Sequence, residues 1–225
     1  MILLDALLDP LRQRLAEPLP GFDAHATMAP FGRGDRPGML SVDGKNARRA
    51  ATLILLYPQD AASGAEGEAT FVLTVRQPTL RAHSGQVSLP GGSLDGDETP
   101  KAAALREGWE EVGVPPEAPD VLGALSPLYI PPSGFAVWPI VASLDHRPAF
   151  VPQEAEVAAL VDVPLAALLG DEAKQVTVRP AKLPGLEGQE FEVPFYALAD
   201  LEVWGATAMM LAEFEVAVRD ALRLA

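Results

Sequence analysis

The order of apolar and polar residues along the chain predicts strands in its middle and helices at its ends. Two runs rich in β-forming residues, 51–58 and 69–76, flank the segment 59–68 of mainly small and polar residues, which predicts a β-hairpin. A short strand is expected near 86–89, within a segment rich in Gly, Pro and Ser. Four later runs are also typical of strands: 121–130, 137–144, 158–165 and 190–198.

Helical periodicity marks both ends of the chain. Residues 1–20 predict one or two short helices, with Asp9 as N-cap and Pro10 in the first turn of the second. Residues 204–224 have the apolar spacing of one long helix. Because neither a repeat nor a break in composition marks a second domain, we predict one α/β or α+β domain with helical additions at both termini.

Composition and charge narrow the possible functions. The 31 acidic and 17 basic residues give a net charge of −14, which argues against binding to nucleic acid because that requires a basic face. The absence of cysteine excludes disulfides and thiolate metal sites. No stretch is typical of a signal peptide or reaches the ~18 apolar residues of a membrane span, so we expect a cytoplasmic protein without membrane partners. An anionic substrate would need local basic residues or bound cations.

An acidic helix is predicted over residues 100–112. Thr99 and Pro100 form a start signal, and Gly113 forms a stop signal. At about 100° per residue, one side of the helix carries the side chains that we expect to pack against a sheet: Ala102, Leu105, Trp109 and Val112. Three carboxylates converge on the other side: Glu107, Glu110 and Glu111.

Clustering these three carboxylates is unfavourable unless something compensates for it. Like charges at these spacings destabilise a helix by roughly 0.2–0.5 kcal/mol per pair, and anions in the last turn oppose the helix dipole by about 0.3–1 kcal/mol. A bound Mg²⁺ would reverse both effects, since it prefers oxygen ligands. From the helix alone, a metal site and a solvated acidic face are both open.

The segment around this helix resembles the sequence box of the Nudix hydrolases. Its spacing is Gly92-x5-Glu98-x7-Arg106-Glu107-x2-Glu110-Glu111-x-Gly113-Val114. The box has an apolar residue where this chain has Gly108, which falls between the two helix faces and costs ~1 kcal/mol relative to alanine. The resemblance implies an α/β/α sandwich with a mixed sheet. It also implies one Nudix hydrolase domain over residues 1–225, with a core of about 48–175 and helical additions at 1–20 and 204–225.

The same resemblance implies a reaction and roles for the residues of the box. These enzymes use Mg²⁺ or Mn²⁺ to hydrolyse pyrophosphate linkages that join a nucleoside diphosphate to another moiety. The acidic side chains of the helix would bind the metal: Glu107, Glu110 and Glu111. The backbone carbonyl of Gly92 would be a further ligand, and Glu98 and Arg106 would brace the loop against the helix.

Hydrolysis also needs a general base that accepts a proton from the attacking water. The candidates are Glu107 on the helix and Glu156 in the loop before residues 158–165, with Glu154 beside it. The sequence leaves this choice open. The expected catalytic residues are Glu107 and Glu156, as the two candidates for the base, and Glu111, as a metal-binding carboxylate.

Upstream of the box, residues 72–92 resemble the additional motif of coenzyme A pyrophosphatases within the family. The residues that match it are Leu73, Thr74, Arg76, Arg81, Gly85, Pro90, Gly91 and Gly92. The residues that depart from it are Val72, Gln77 and Leu89, of which Gln77 stands where the motif has a small residue. The resemblance implies that coenzyme A is hydrolysed to 3′,5′-ADP and 4′-phosphopantetheine.

Residues 72–92 also have the physical properties of a phosphate site. Arginine forks suit phosphate oxygens, and loop glycines let the backbone approach a ligand closely. The expected substrate contacts are Arg76, Arg81, His83, Gly85 and Gly91, with Lys101 as a further cation. Without the motif these would be ordinary surface and turn residues, and His83 alone would more often be a structural hydrogen-bonding residue.

Two alternative functions stay open at this stage. The chain could hydrolyse another nucleotide, such as ADP-ribose, a dinucleotide or a nucleoside triphosphate. It could also be a regulator that binds a nucleotide without cleaving it, although such proteins usually have a degraded box and every acid of the box is present here. In each case the partner is a small nucleotide, and the sequence does not indicate an oligomeric state.

Overall fold

Strands and helices cover most of the chain that the computed structural model describes, namely residues 1–30, 37–60, 66–78, 86–180 and 188–224. The helices in these ranges are α1 (Leu4–Leu15), α2 (Phe22–Ala26), α3 (Pro37–Leu40), α4 (Pro100–Val112), α5 (Leu165–Leu168) and α6 (Ala206–Leu224). The strands of the main sheet are β1 (Arg48–Pro58), β2 (Ala69–Arg76), β3 (Val87–Ser88), β4 (Gly91–Ser93), β5 (Asp120–Ala124), β6 (Leu128–Ile130), β7 (Phe135–Ser143) and β8 (Val157–Pro164). A second sheet contains β9 (Lys174–Pro180), β10 (Glu190–Leu198) and β11 (Leu201–Trp204).

The main sheet is mixed and is centred on β1. Strand β1 pairs in parallel with β7 and antiparallel with β2 and β4. Residues 53–57 of β1 are fully buried, because both faces of the strand are covered. The predicted hairpin of β1 and β2 is confirmed, and so is the short strand β3.

Helices cover the main sheet on both faces. Helix α4 packs on one face, where Ala103 and Ala104 lie among Ala51, Leu53 and Leu55 of β1. Helices α1 and α6 pack against each other on the other face, where the ring of Phe214 meets that of Phe71 edge-on at 6.4 Å. The predicted α/β/α sandwich with a mixed sheet and helices at both ends is confirmed.

Of the one or two helices predicted for residues 1–20, the structure has one. A second helix does not begin at Asp9, because α1 runs through Pro10 as one helix. A proline there removes a backbone donor from the helix interior. The buried stripe of Leu4, Leu7 and Leu11 offsets this loss by joining the core. Six short elements were not predicted: α2, α3, α5, β4, β9 and β11.

A buried carboxylate connects the N-terminal segment to α6. Glu213 is fully buried and accepts hydrogen bonds from the backbone N–H groups of Gly21 and Ser126, both at 2.7 Å. Its Oε2 also lies 3.4 Å from Nε2 of buried His25. Burial raises the pKa of Glu213, but the contacts with His25 and Ser126 outweigh it and hold the pKa below its ordinary value.

Among the described helices, none has the length and apolar character needed to cross a lipid bilayer.

Candidate functional site

Local signals set both ends of the acidic helix α4. The Thr99 hydroxyl accepts a hydrogen bond from the Ala102 N–H at 3.2 Å, and Pro100 fits the first turn because it has no N–H to satisfy. Gly113 ends the helix in the left-handed conformation, with φ of 77°, which favours glycine. The predicted bounds of this helix are confirmed.

The face of α4 that packs on the sheet differs in part from the prediction, since Val112 is buried and Leu105 packs on the core as predicted, but the other two residues do not. Trp109 is 51% exposed and Ala102 is exposed, whereas Gly108 and Glu111 are buried. The reason is size, because a Cβ on Gly108 would lie 2.8 Å from Cδ2 of Leu53. Glycine thus lets this side of the helix approach β1 closely. Because the Gly108 side faces the sheet, Glu111 is also turned toward the sheet and away from solvent.

Glu111 lies at the base of the site with its carboxylate almost out of solvent. The residue is 4% exposed, and its Oε2 accepts a hydrogen bond from the Gly91 N–H at 3.1 Å. Its Oε1 lies 3.5 Å from Nη1 of Arg76. Burial raises the pKa of Glu111 to about 7, and the charges of Glu107 and Glu156 add to the effect. The backbone hydrogen bond and Arg76 act in the opposite direction without cancelling it.

Glu107 lies against the neighbouring glycine of β4. A Cβ on Gly92 would lie 2.4 Å from Oε1 of Glu107, so only glycine leaves room for this carboxylate. Gly91 is needed for a different reason, because its Cβ would lie 2.4 Å from the backbone oxygen of Ala51 in β1. Burial also raises the pKa of Glu107, against the influence of Arg106. The two glycines therefore bring two partly or fully buried carboxylates to one short strand.

Arg106 connects the loop after β4 to the helix. Its guanidinium contacts both oxygens of Glu98, at 3.0 and 3.2 Å, and donates to the backbone oxygen of Ser93 at 2.9 Å. The same group lies 2.9 Å from Glu107 and 3.3 Å from Glu110. The hydrogen bond from Arg106 lowers the pKa of Glu98. Loop and helix are held together by one cation and several oxygens.

The third carboxylate of the predicted metal set does not join the other two. Glu110 points toward Arg106, and its side chain is 53% exposed. Among the residues that the structure describes, no group of three or more His, Asp or Glu side chains is arranged to hold a metal ion. The structure thus brings Glu107 and Glu111 to β4 and leaves Glu110 at the rim.

Arg76 and Glu156 lie on the side of the site formed by β2 and the loop before β8. Nη2 of Arg76 lies 3.7 Å from Oε2 of Glu156, so this arginine contacts Glu111 and Glu156 together. Glu156 keeps a half-exposed side chain. Glu154 is exposed, and its backbone oxygen accepts a hydrogen bond from Gln77. The expected substrate contacts Arg81, His83 and Gly85 lie outside the described residues, and Lys101 is exposed.

A cationic cavity beside the box was not predicted. It has a volume of about 360 Å³, and Arg48, Arg49, Ser93 and Phe135 form part of its lining. The Arg48 guanidinium stacks 4.0 Å from the centre of the Phe135 ring. In sequence, two arginines before a strand are unremarkable, and only the pairing of β1 with β4 brings them beside Ser93. The cavity could not be predicted from the sequence because the pairing of β1 with β4 was not predicted.

Comparison with known proteins defines the class of the chain. The family model described as the NUDIX domain matches residues 47–183, which is more than half of the chain. This chain therefore belongs to the Nudix family.

The similar proteins carry Nudix names. The "Uncharacterized Nudix hydrolase NudL" of Cronobacter sakazakii is 42% identical over 135 residues, which cover 60% of this chain and 66% of the relative. The protein of the same name from Photorhabdus laumondii is 36% identical over 167 residues, which cover 74% of this chain and 82% of the relative. "Nudix hydrolase 22, chloroplastic" of Arabidopsis thaliana is 35% identical over 171 residues, which cover 73% of this chain and 53% of the relative.

The matches cover only part of each protein's length. In three of the NudL relatives it spans 61–66% of the relative's own length. A crystal structure of a Nudix hydrolase from M. smegmatis, RenU, superposes with a TM-score of 0.44 and 28% identity, covering 53% of this chain and 72% of that one.

Proposed function

We propose that this chain is a metal-dependent pyrophosphohydrolase that cleaves the pyrophosphate bond of coenzyme A and its derivatives to 3′,5′-ADP and 4′-phosphopantetheine. One observation carries the proposal: the carboxylates of Glu107 and Glu111 lie against Gly92 and Gly91, the first partly and the second almost fully out of solvent. Two carboxylates removed from solvent in this way at one strand are unfavourable unless a cation balances them. The arrangement is therefore one that a divalent cation would stabilise.

The donor set fits a hard cation. Carboxylate and backbone oxygens are the ligands that Mg²⁺ and Mn²⁺ prefer. Glu107 and Glu111, with the Gly92 carbonyl, would hold the ion, and Glu110 would join them by leaving Arg106. Arg76 is an incomplete substitute, because its guanidinium lies 3.5 Å from Glu111 and also contacts Glu156. When bound, the ion supplies charge neutralisation on the phosphates and lowers the pKa of a water.

Proton transfer is assigned to Glu156 in this proposal. Glu107 would be occupied by the cation and already contacts Arg106, whereas Glu156 keeps a half-exposed carboxylate beside Arg76. Glu156 would take the proton of the water whose oxygen attacks one phosphorus. The P–O bond to the bridging oxygen then breaks, and the second phosphate leaves with that oxygen. Arg76 would hold Glu156 toward Glu111 during this step.

Coenzyme A is proposed as substrate because residues 72–92 match the additional motif of its pyrophosphatases. With a net charge of −14, the chain must hold an anionic substrate through local cations. Arg81 is proposed for this role from the motif, and His83 from its place in the same segment. Arg48 and Arg49, which line the cavity beside Ser93, supply further positive charge near the box. The proposed partner is a small nucleotide, without nucleic acid or membrane.

A substrate panel tests this proposal. Initial rates would be measured with Mg²⁺ and with Mn²⁺ on coenzyme A, ADP-ribose, a dinucleotide and a nucleoside triphosphate, with products identified by mass. We expect the highest kcat/KM on coenzyme A and 3′,5′-ADP as product. A higher value on another compound would assign the enzyme to that substrate. Binding without turnover of any compound would favour a nucleotide-binding regulator.

A further inference from the structure

The loop that carries Glu156 is attached at its start to the last turn of α4. The Val151 N–H donates to the backbone oxygen of Val112, and the Gln153 N–H donates to that of Glu111, both at 3.0 Å. The loop is therefore hydrogen-bonded to the backbone of Glu111, whose side chain lies at the base of the site. The backbone oxygen of Gln153 in turn accepts from the N–H groups of Glu156 at 2.9 Å and Val157 at 2.8 Å, so a turn restrains the N–H side of Glu156 and leaves its carbonyl oxygen to other contacts.

The end of this loop is held by Gln77, which directly follows Arg76 after β2. Its side-chain Nε2 donates to the backbone oxygen of Glu154 at 2.9 Å and lies 3.5 Å from that of Val157. Its backbone N–H donates to the backbone oxygen of Glu156 at 2.8 Å. One half-buried residue thus contacts carbonyl groups before, at and after Glu156.

We propose that Gln77 is a positioning residue that holds the Glu156 carboxylate beside Arg76 and Glu111. This inference rests on the proposed function, since it assigns Gln77 to the proton acceptor of that reaction. Gln77 touches neither carboxylate, so it acts through the backbone of the loop alone. The amide suits this task because it carries two N–H donors, whereas an isosteric carboxylate carries none.

The position of a base matters as well as its presence. A displacement of about 1 Å at a reacting group can lower a rate by roughly 100-fold. The Arg76–Glu156 contact of 3.7 Å is too long to fix the loop by itself. The contacts of Gln77 are shorter and lie on both sides of the residue, so they restrain its backbone directly. Gln77 also stands at a position where the chain departs from the coenzyme A motif, which makes the device a property of this sequence.

The test compares Gln77→Ala and Gln77→Glu with a matched control, Gln175→Ala. Gln175 on β9 also donates its side-chain amide to a backbone oxygen, that of Glu172 at 3.2 Å. With coenzyme A and Mg²⁺, we expect kcat to fall about 10-fold in both Gln77 variants with KM changed less than about twofold. The control should keep the wild-type kcat. Mn²⁺ binding should stay unchanged, because the α4 carboxylates are untouched, and the thermal midpoint should fall only slightly, because the lost side-chain hydrogen bonds lie in a solvent-accessible loop.

Combination with Glu156→Gln separates positioning from general loop stability. Removing the base should lower kcat by about 100-fold or more, and Gln77→Ala should then lower it less than about twofold further. An equal loss in both backgrounds, or a wild-type kcat in Gln77→Ala, would overturn the inference alone. A wild-type kcat in Glu156→Gln would overturn the inference together with the assignment of proton transfer to Glu156, but not the hydrolysis of coenzyme A. If Gln77→Ala does not fold, Gln77→Ser removes the same contacts. A wild-type protein without turnover on any nucleotide would overturn the proposed function and, with it, the inference.

Discussion

Glu111 is the residue at which burial and charge conflict most strongly. Its pKa is raised from 4.5 to about 7 by burial, and the Gly91 N–H and Arg76 compensate only in part. A carboxyl group with a higher pKa in the folded chain binds more protons when folded. Its contribution to stability is therefore full below about pH 4.5 and is lost as the pH rises through about 7. The shift corresponds to roughly 3 kcal/mol.

Replacing Glu111 by glutamine should remove this pH dependence in the metal-free protein. The wild type should lose roughly 3 kcal/mol more unfolding free energy than Glu111→Gln between about pH 5 and about pH 8, as measured by urea unfolding. The variant should also lose most of its hydrolytic activity. Glu117→Gln, which changes an exposed residue, is the control. If the unfolding free energies of wild type and Glu111→Gln changed with pH in the same way, the Glu111 carboxylate would ionise without loss of stability, which would contradict the raised pKa.

Gly91 and Gly92 are neighbours that should fail in different ways when changed to alanine. In Gly92→Ala the new Cβ meets the end of the Glu107 side chain, which can move, so we expect activity to fall by roughly 100-fold with little loss of stability. In Gly91→Ala it meets backbone of β1, so we expect a loss of about 1–3 kcal/mol or more. Activity assays and chemical denaturation distinguish the two. The same effect in both variants would contradict this division.

At the level of elements, α4 shows what sequence reasoning reaches and where it stops. Thr99, Pro100 and Gly113 fixed its ends, because capping depends on residues close in sequence. Its buried face was predicted correctly at Val112 but wrongly at Trp109, because Trp109 is more apolar than Gly108. The packing is decided by the distance to Leu53 on β1, a contact between residues far apart in the chain. For the same reason α1 continues through Pro10 once its leucines find the core.

The candidate site was predictable in composition but not in geometry. The Nudix box named Glu107, Glu110 and Glu111, yet periodicity could not show that Arg106 would draw Glu110 to the rim. The cavity at Arg48 and Arg49 depends on strand pairing, which the sequence did not reveal.

Arg106 makes the loop after β4 and helix α4 a single unit, and lysine should not replace it. Lysine lacks the planar fork that contacts both oxygens of Glu98 while reaching Ser93 and Glu107. We expect Arg106→Lys to lower Mn²⁺ affinity and activity by about 10–100-fold, measured by calorimetry and initial rates. The control Arg12→Lys changes an arginine that contacts Asp120 away from the box. Wild-type affinity in Arg106→Lys would show that the brace does not orient Glu107.

At the scale of the whole molecule, the two ends of the chain share one core. Leucines of α1 and the aromatic and aliphatic side chains of α6 belong to the same buried cluster as strands of the main sheet. Glu213 adds a polar link between α6 and the N-terminal segment. We propose on these contacts that residues 1–225 fold as one domain, as the sequence predicts.

The core role of α1 can be measured with one substitution. Leu7 is fully buried, so Leu7→Ala should lower the free energy of unfolding by about 2–5 kcal/mol in chemical denaturation. Leu3→Ala is the control, because Leu3 is 39% exposed and should change stability by less than about 0.5 kcal/mol. Similar small effects in both variants would mean that α1 is a loosely attached extension.

Calorimetric titration of the metal-free protein with Mn²⁺ at neutral pH tests most directly whether Glu107 and Glu111 hold a divalent cation. We expect saturable binding in the wild type and in Glu117→Gln, and its loss in Glu111→Gln. Wild-type binding that persists in Glu111→Gln, or no binding in any of the three proteins, would contradict the assignment of the buried carboxylates to a metal site.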